Sequence, residues 1–356
     1  MTIKITPAES SRLSTVDFDH LTFGKTFSDH MVEMIWDNEQ WQKPEIKPYG
    51  PISFTPALNA LHYGQEVFEG MKAYYVNEET LHLFRPDVHH NRFNLSCRRM
   101  CMPEIEYAPF LESMEELLRI DVGWVPKKEG RALYIRPLMF ASQEFIAAVE
   151  STRYNYYVIT CPVAAYYKEG FNPVKLTTSK EYVRAVRGGT GEVKTGGNYA
   201  ASFLPAKQAR EQGYTQVLWL DAIENRYVEE VGTMNIFFKL NGKLVTPQLS
   251  GSVLNGITRR SVIELARDEG IEVEERRISI NEVFEAGKSG ELEEVFGSGT
   301  AAVISPVKEI HHNGETITIG NGTVGPAARK LFDTITGIQY GEIEDRHGWT
   351  HPIAIR

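Results

Sequence analysis

Residues 187–199 read Arg-Gly-Gly-Thr-Gly-Glu-Val-Lys-Thr-Gly-Gly-Asn-Tyr, with five glycines in the ten positions 188–197 and Lys194 set among them. A phosphate loop needs G-x-x-x-x-G-K-[ST], so that backbone amides and the lysine ammonium wrap one phosphate. Counted from Gly188, the second glycine of that pattern falls on Val193, and the pattern fails by one residue. Two readings of Lys194 remain. It is an ordinary turn lysine, or its ε-amine sits where glycines let a planar ligand approach the backbone closely. A lysine of the second kind forms a Schiff base with a carbonyl compound.

Around this loop the chain alternates between strand-like and helical runs. Downstream, a helix is expected over 198–212, with Gly213 as its stop and Pro205 kinking it or delaying its start. Strand-like runs follow at QVLWLD (216–221), NRYVEE (225–230), NIFFKL (235–240) and KLVTP (243–247). Asn241-Gly242 between the last two is a strong hairpin signal. The run TRRSVIELARDEG (258–270) predicts a helix with Thr258 as N-cap and Gly270 beyond its end. A strand-like IEVEERRISI (271–280), a charged helix, and EEVFGSGTAAVISPV (293–307), a strand interrupted by a turn, complete this half.

Upstream, LHLF (81–84) reads as a strand and Pro86 opens a helix to about Arg99, with Arg92 in its middle. PFLESMEELLRI (109–120) has helical apolar spacing, and strands are expected at 131–140 and 154–163. Between the halves, AAYYKEGFNP (164–173) gathers lysine, glycine, asparagine and proline as a linker does. Strands paired through tight turns with helices outside them predict a mixed α/β (α+β-like) fold rather than a dinucleotide-binding one, and no G-x-G-x-x-G follows a strand. The expected division is an N-terminal domain over 1–164, an interdomain loop over 165–174 and a C-terminal domain over 175–356.

Composition narrows the partners. The 356 residues are 42% hydrophobic and 24% charged, with a net charge of -9. An acidic chain of this kind is not built for nucleic acid or an anionic membrane surface. Met1 to Arg12 has no apolar core and no apolar run approaches a membrane span, so a cytoplasmic protein is expected. Cys97, Cys101 and Cys161 are too few and wrongly spaced for a disulfide scaffold or a zinc site. Cys97 and Cys101 are expected one helical turn apart, as packing residues. The histidines form no ligand motif, the pairs His89-His90 and His311-His312 read as surface residues, and no metal is expected.

If Lys194 holds pyridoxal phosphate, four further groups are required: an anion cradle, a carboxylate for the ring nitrogen, a donor to the phenolic oxygen and donors for the substrate carboxylate. NGITRR (255–260) offers the amides of Ile257 and Thr258 at a helix start, and GSGT (297–300) offers a turn. EEVGTMN (229–235) offers two acids, Glu229 and Glu230, which chemistry alone does not separate. Tyr199 follows the lysine, and YIRP (134–137) puts Tyr134 and Arg136 on one strand face. Each of these strings also has an ordinary structural explanation.

Taken together and in order, GKTFSDHM (24–31), HYGQEVFEGMKAY (62–74), YIRP, CPVAAYY (161–167), KTGGNY (194–199), EEVGTMNIFF (229–238), NGITRRSV (255–262) and EVFGSGTAAVISPV (294–307) resemble branched-chain amino acid aminotransferases of fold type IV. The resemblance spans nearly the whole chain. It implies a small N-terminal α/β domain, a larger C-terminal domain of mixed sheets forming a pseudo-barrel, and a homodimer. It makes Lys194 the Schiff-base lysine, Tyr199 the donor to the cofactor's phenolic oxygen, Glu230 the partner of the pyridine nitrogen and Arg92 a phosphate ligand. Ile257, Thr258 and Thr300 complete the phosphate cradle. Tyr63, Phe68, Tyr134, Arg136, Tyr166, Thr233 and Ala301 match the substrate pocket, with Tyr134 and the 300–301 amides on the α-carboxylate and Arg136 on glutamate's distal carboxylate. Where some members carry C-x-x-C, this chain has Ala302 and Ser305, and no thiol switch is expected. Another fold type IV transaminase, or a non-catalytic binder of a phosphorylated compound, are the rival readings.

Overall fold

In the computed structural model, which describes residues 2–164 and 171–355, the strand Ala132–Ala141 sorts its side chains by parity. Leu133, Ile135, Met139 and Ala141 enter one apolar core. Tyr134, Arg136, Leu138 and Phe140 take the opposite face, as the two-residue period of a strand requires. Neighbouring strands obey the same rule. In Met71–Asn77, Met71 and Ala73 join the core while Lys72 pairs in register with Tyr134. In Glu66–Phe68, Val67 is in the core and the flanking residues share the face of Phe140 and Leu138, their register partners.

Two helices cover the core face. Pro86–Arg99 contributes Phe93 and Cys97, and Tyr107–Ile120 contributes Phe110, Met114, Leu117 and Leu118, at the spacing of an apolar stripe. Burying each such large side chain contributes about 1.5–3 kcal/mol. The helices leave the other face of the sheet to functional side chains. This first unit comprises Met1–Tyr166, Val193–Gly196 and Gly337–Arg356. Its last strand, Thr350–Ala354, comes from the far end of the chain and pairs antiparallel with Thr80–Phe84.

The second unit comprises Tyr167–Glu192 and Gly197–Thr336. Its sheet is mixed. Val174–Thr178 runs parallel to both Gln216–Leu220 and Val303–His312, whereas Asn235–Leu240 is antiparallel to Lys243–Thr246 and to Leu292–Gly299. Asn241 and Gly242 both have positive φ, 48° and 80°, as a two-residue type I′ hairpin demands. The helix Ile280–Ser289 buries Val283, Phe284 and Ala286, and its N-cap Ser279 accepts from the Glu282 amide. The mixed α/β class expected from the sequence is the one the chain adopts.

Several local expectations are corrected. The single helix over 198–212 is two, Gly196–Ala200 and Phe203–Glu211. Pro205 lacks an amide hydrogen and is tolerated in a first turn, where it now sits. Gly256, not Thr258, is the N-cap of Ile257–Asp268, so Thr258 lies inside the helix. The strand over 225–230 is shortened to Val228–Val231 because the Asp221 carboxylate takes the Arg226 and Tyr227 amides into a turn, at 3.0 and 2.7 Å. The strand over 271–280 shrinks to Val273–Glu275. Cys101 lies past its helix with φ 53°, so it is not stacked a turn above Cys97. Most of the expected linker, 165–170, lies outside the described residues.

Candidate active site

The segment around Lys194 is stitched by four hydrogen bonds, three to the strand Glu66–Phe68 and one to the helix Pro86–Arg99. The Phe68 amide donates to the Lys194 carbonyl (3.0 Å), and the Lys194 amide donates to Ser96 Oγ (3.0 Å). Thr195 Oγ1 donates to the Glu66 carbonyl (2.8 Å), and the Gly196 amide donates to Glu66 Oε1 (2.6 Å). A Cβ at position 196 would stand 1.9 Å from that oxygen, so the close approach requires glycine. This placement sets Lys194 Nζ 4.7 Å from the centre of the Phe68 ring.

Arg136 meets the same ring, its Cζ 4.5 Å from the centre, and its Nη2 donates to Tyr134 Oη at 3.0 Å. Phe23 packs edge-on to Tyr134 at 5.0 Å. A Cβ on Gly70 would fall 2.0 Å from the Tyr134 hydroxyl, so the bare backbone there makes room for it. Phe68, Tyr134, Arg136 and Lys194 are thus brought together. Both cations lie against aromatic rings, contacts worth about 0.5–2 kcal/mol each.

Arg92 is fixed by a buried acid. Its Nε and Nη2 donate to the two oxygens of Glu69, at 2.6 and 2.9 Å. His89 Nδ1 (2.8 Å) and the Gly70 amide (3.0 Å) also reach that carboxylate. Complete burial by itself raises the Glu69 pKa, but Arg92 and His89 outweigh it and hold the carboxyl well below the usual range. Burial also lowers the pKa of His89, with the charges of Arg92 and Lys194 acting in the same direction. Ser96, which accepts from the Lys194 amide, lies one turn after Arg92 on the same helix and donates to the Arg92 carbonyl at 3.1 Å.

In the second unit, Glu230 is 2% exposed and surrounded by donors. Its Oε1 accepts from the Leu254 amide (2.7 Å) and from Asn235 Nδ2 (3.3 Å). Arg184 Nε lies 2.8 Å from Oε2 as an ion pair, although its N–H is not aligned as a hydrogen bond. Tyr199, Glu230 and Thr233 line one small pocket together with Arg184, Ser202 and Leu254. Glu229, the acid that the chemistry could not separate from Glu230, instead accepts from Ser252 Oγ. The helix Ile257–Asp268 begins without a side-chain cap, with Ile257 and Thr258 in its first turn. Uncapped first-turn amides at the positive end of a helix dipole fit an anion. Thr300 and Ala301 lie in the turn between Leu292–Gly299 and Val303–His312.

Tyr63 ends the short helix Asn59–Tyr63 and is 43% exposed, its ring 6.1 Å from that of His62. Tyr166 lies outside the described residues. Sequence reasoning missed Glu66, Glu69, Ser96, Arg184 and Asn235, and it read His89 as a surface residue, whereas His89 is 2% exposed and bonded to Glu69. Glu66, Glu69 and Asn235 stood inside quoted strings, but nothing in their spacing disclosed a partner.

A family model described as amino-transferase class IV matches residues 66–310. The chain belongs to the class IV aminotransferases. Within them its relatives are branched-chain amino acid aminotransferases. It is 50% identical over 346 residues to branched-chain-amino-acid aminotransferase 2 of Bacillus subtilis, covering 97% of this chain and 95% of that one. Among solved structures, the Escherichia coli branched-chain amino acid aminotransferase matches with a TM-score of 0.71 at 30% identity, over 89% of this chain and 98% of that one. The T.th. branched-chain amino acid aminotransferase complexed with N-(5'-phosphopyridoxyl)-L-glutamate matches with a TM-score of 0.72 at 28% identity, over 89% and 97%.

Proposed function

We propose that Lys194, Tyr199, Glu230 and Arg92 hold pyridoxal phosphate and that Phe68, Tyr134 and Arg136 receive the substrate. The reaction is reversible amino transfer from L-leucine, L-isoleucine or L-valine to 2-oxoglutarate, giving the branched 2-oxo acid and L-glutamate in a ping-pong sequence. The cofactor supplies an electron sink that acidifies the α-carbon of a bound amino acid.

The chain's own residues do the rest. Lys194 Nζ would hold the cofactor through its aldehyde carbon, and the free amine would move the proton from the substrate's α-carbon to that carbon, as general base and then general acid. Glu230, carboxylate among donors, receives the protonated ring nitrogen. Tyr199 donates to the phenolic oxygen. Arg92, its plane fixed by Glu69, binds phosphate with the amides of Ile257 and Thr258 and with Thr300. Tyr134, Thr233 and Ala301 orient the substrate, and Tyr63 and Tyr166 keep the pocket roles that resemblance assigns them. We further propose a cytoplasmic homodimer, with the domain boundary in 165–174. Among the described residues no helix is long and apolar enough to cross a membrane.

The observation that carries this reading is the Lys194 ammonium beside Arg136 on the Phe68 ring, 4.7 and 4.5 Å from its centre. One aromatic wall with a guanidinium at its edge can serve an aliphatic chain and a distal carboxylate in turn. Lys194→Ala should abolish the visible band that the protein gains with pyridoxal phosphate and lower turnover by about 10²–10⁴-fold. Arg136→Met should raise KM for glutamate far more than for leucine. An active, coloured Lys194→Ala protein, or equal losses for both substrates in Arg136→Met, would contradict the assignments.

A further inference from the structure

Glu229 and Glu230 are neighbours on the strand Val228–Val231, so their side chains turn to opposite faces. Glu230 meets Leu254, Asn235 and Arg184, whereas Glu229 lines a different cavity, of about 400 Å³, built wholly from the second unit. There the acid is 7% exposed and only half satisfied. Ser252 Oγ gives its one hydrogen to Oε1, so Ser250 Oγ, 2.8 Å from Ser252 Oγ, donates to Ser252 and not to the carboxylate. Oε2 has no hydrogen-bond partner among the described residues. Burial raises the Glu229 pKa, opposed by the Ser252 hydrogen bond and the charge of Arg184. The other charges around this cavity are matched, with one exception. Asp221 accepts from the amides of Ile223, Glu224, Arg226 and Tyr227, and Glu224 accepts from Arg277 Nη2 at 2.7 Å. Arg187 also lines the cavity and is exposed, and its guanidinium makes no ion pair or hydrogen bond among the described residues. Val186, Ile223 and Leu249 add apolar side chains that stand open to water.

We infer that this cavity is a second binding site, for an α-amino acid with an aliphatic side chain. The ammonium would meet Glu229, the carboxylate Arg187, and the hydrocarbon Val186, Ile223 and Leu249. A buried carboxylate oxygen without a donor is costly, and an ammonium supplies both the hydrogen and the opposite charge. A phosphate ester or a dicarboxylate would instead set like charge against Glu229 and Glu224. A simple amine would leave Arg187 unused, and a sugar would leave the three apolar side chains in water. The zwitterion with a hydrocarbon branch matches all three features.

The test must keep this site apart from the substrate pocket. The full chain is loaded with pyridoxamine phosphate, which offers an amino acid no carbonyl to react with, and is saturated with 4-methylpentanoate, which fills the proposed substrate pocket but carries no ammonium. L-Leucine is then titrated by calorimetry into wild type, Glu229→Gln, Arg187→Met and Arg136→Met. One leucine per chain should bind to wild type, about 10-fold or more weakly to Glu229→Gln and to Arg187→Met, and with unchanged affinity to Arg136→Met. Arg187 is exposed, so its substitution leaves the fold intact and guards against a loss caused by misfolding in Glu229→Gln. No leucine bound to wild type, or an affinity that either Glu229→Gln or Arg187→Met leaves at the wild-type value, overturns the site. A leucine that Arg136→Met also loses belongs to the substrate pocket, and overturns it as well.

Discussion

Glu69 shows how much one buried residue can hold. It is completely buried, yet Arg92 and His89 keep its carboxyl titrating well below the ordinary value of 4.5. A carboxyl whose pKa is depressed in the fold adds stability that is complete above its unfolded pKa and fades as pH falls toward the folded one. Glu69→Gln should therefore cost about 3–5 kcal/mol at pH 7 by leaving Arg92 buried without its counter-charge. Urea unfolding should show the gap to wild type narrowing as pH is taken below 4.5. Cofactor affinity should weaken in the same variant, because the guanidinium loses the acid that fixes its plane. A gap that widened on acidification would mean that Glu69 is protonated in the fold.

At the scale of elements, periodicity was the readable signal. Apolar residues at helical spacing identified 109–120 as a helix, and it is observed as Tyr107–Ile120. Pro86 and Asn241-Gly242 were equally plain, because proline and the Asn-Gly pair act through their own backbone geometry. The 198–212 helix and the Thr258 cap failed for a related reason. A helix start depends on which neighbouring amides find other partners, and that is settled by tertiary contacts rather than by local pattern. The cap on Ile280–Ser289 gives a clean control: Ser279→Ala removes the acceptor for the Glu282 amide at 3.1 Å. Thermal unfolding should register a loss of about 1 kcal/mol, with kcat unchanged.

Across the whole molecule, long-range partners are what the sequence conceals. Lys194 was legible because its glycine-rich surroundings are local, whereas Glu66 and Gly196, its clamp, are 130 residues apart. Lys72 was hidden likewise. Burial on the sheet face pushes its pKa from 10.5 down to about 8. For a base with a lowered folded pKa, the unfolded chain binds more protons between those values, so stability rises with pH through that window. Lys72→Met should remove that rise, so the variant loses ground to wild type as pH climbs from about 8 toward 10.5. A constant difference across that window, in unfolding curves of the two proteins, would show that Lys72 titrates normally.

The strand Thr350–Ala354 closes an edge of the first unit that Thr80–Phe84 would otherwise leave bare. A ribosome releases that strand long after its partner, so during synthesis the nascent N-terminal sheet waits with a row of unmated amides and carbonyls, the kind of rim on which stray chains stack. Premature termination shortly before Thr350 should therefore yield a product that precipitates rather than one that is merely less active.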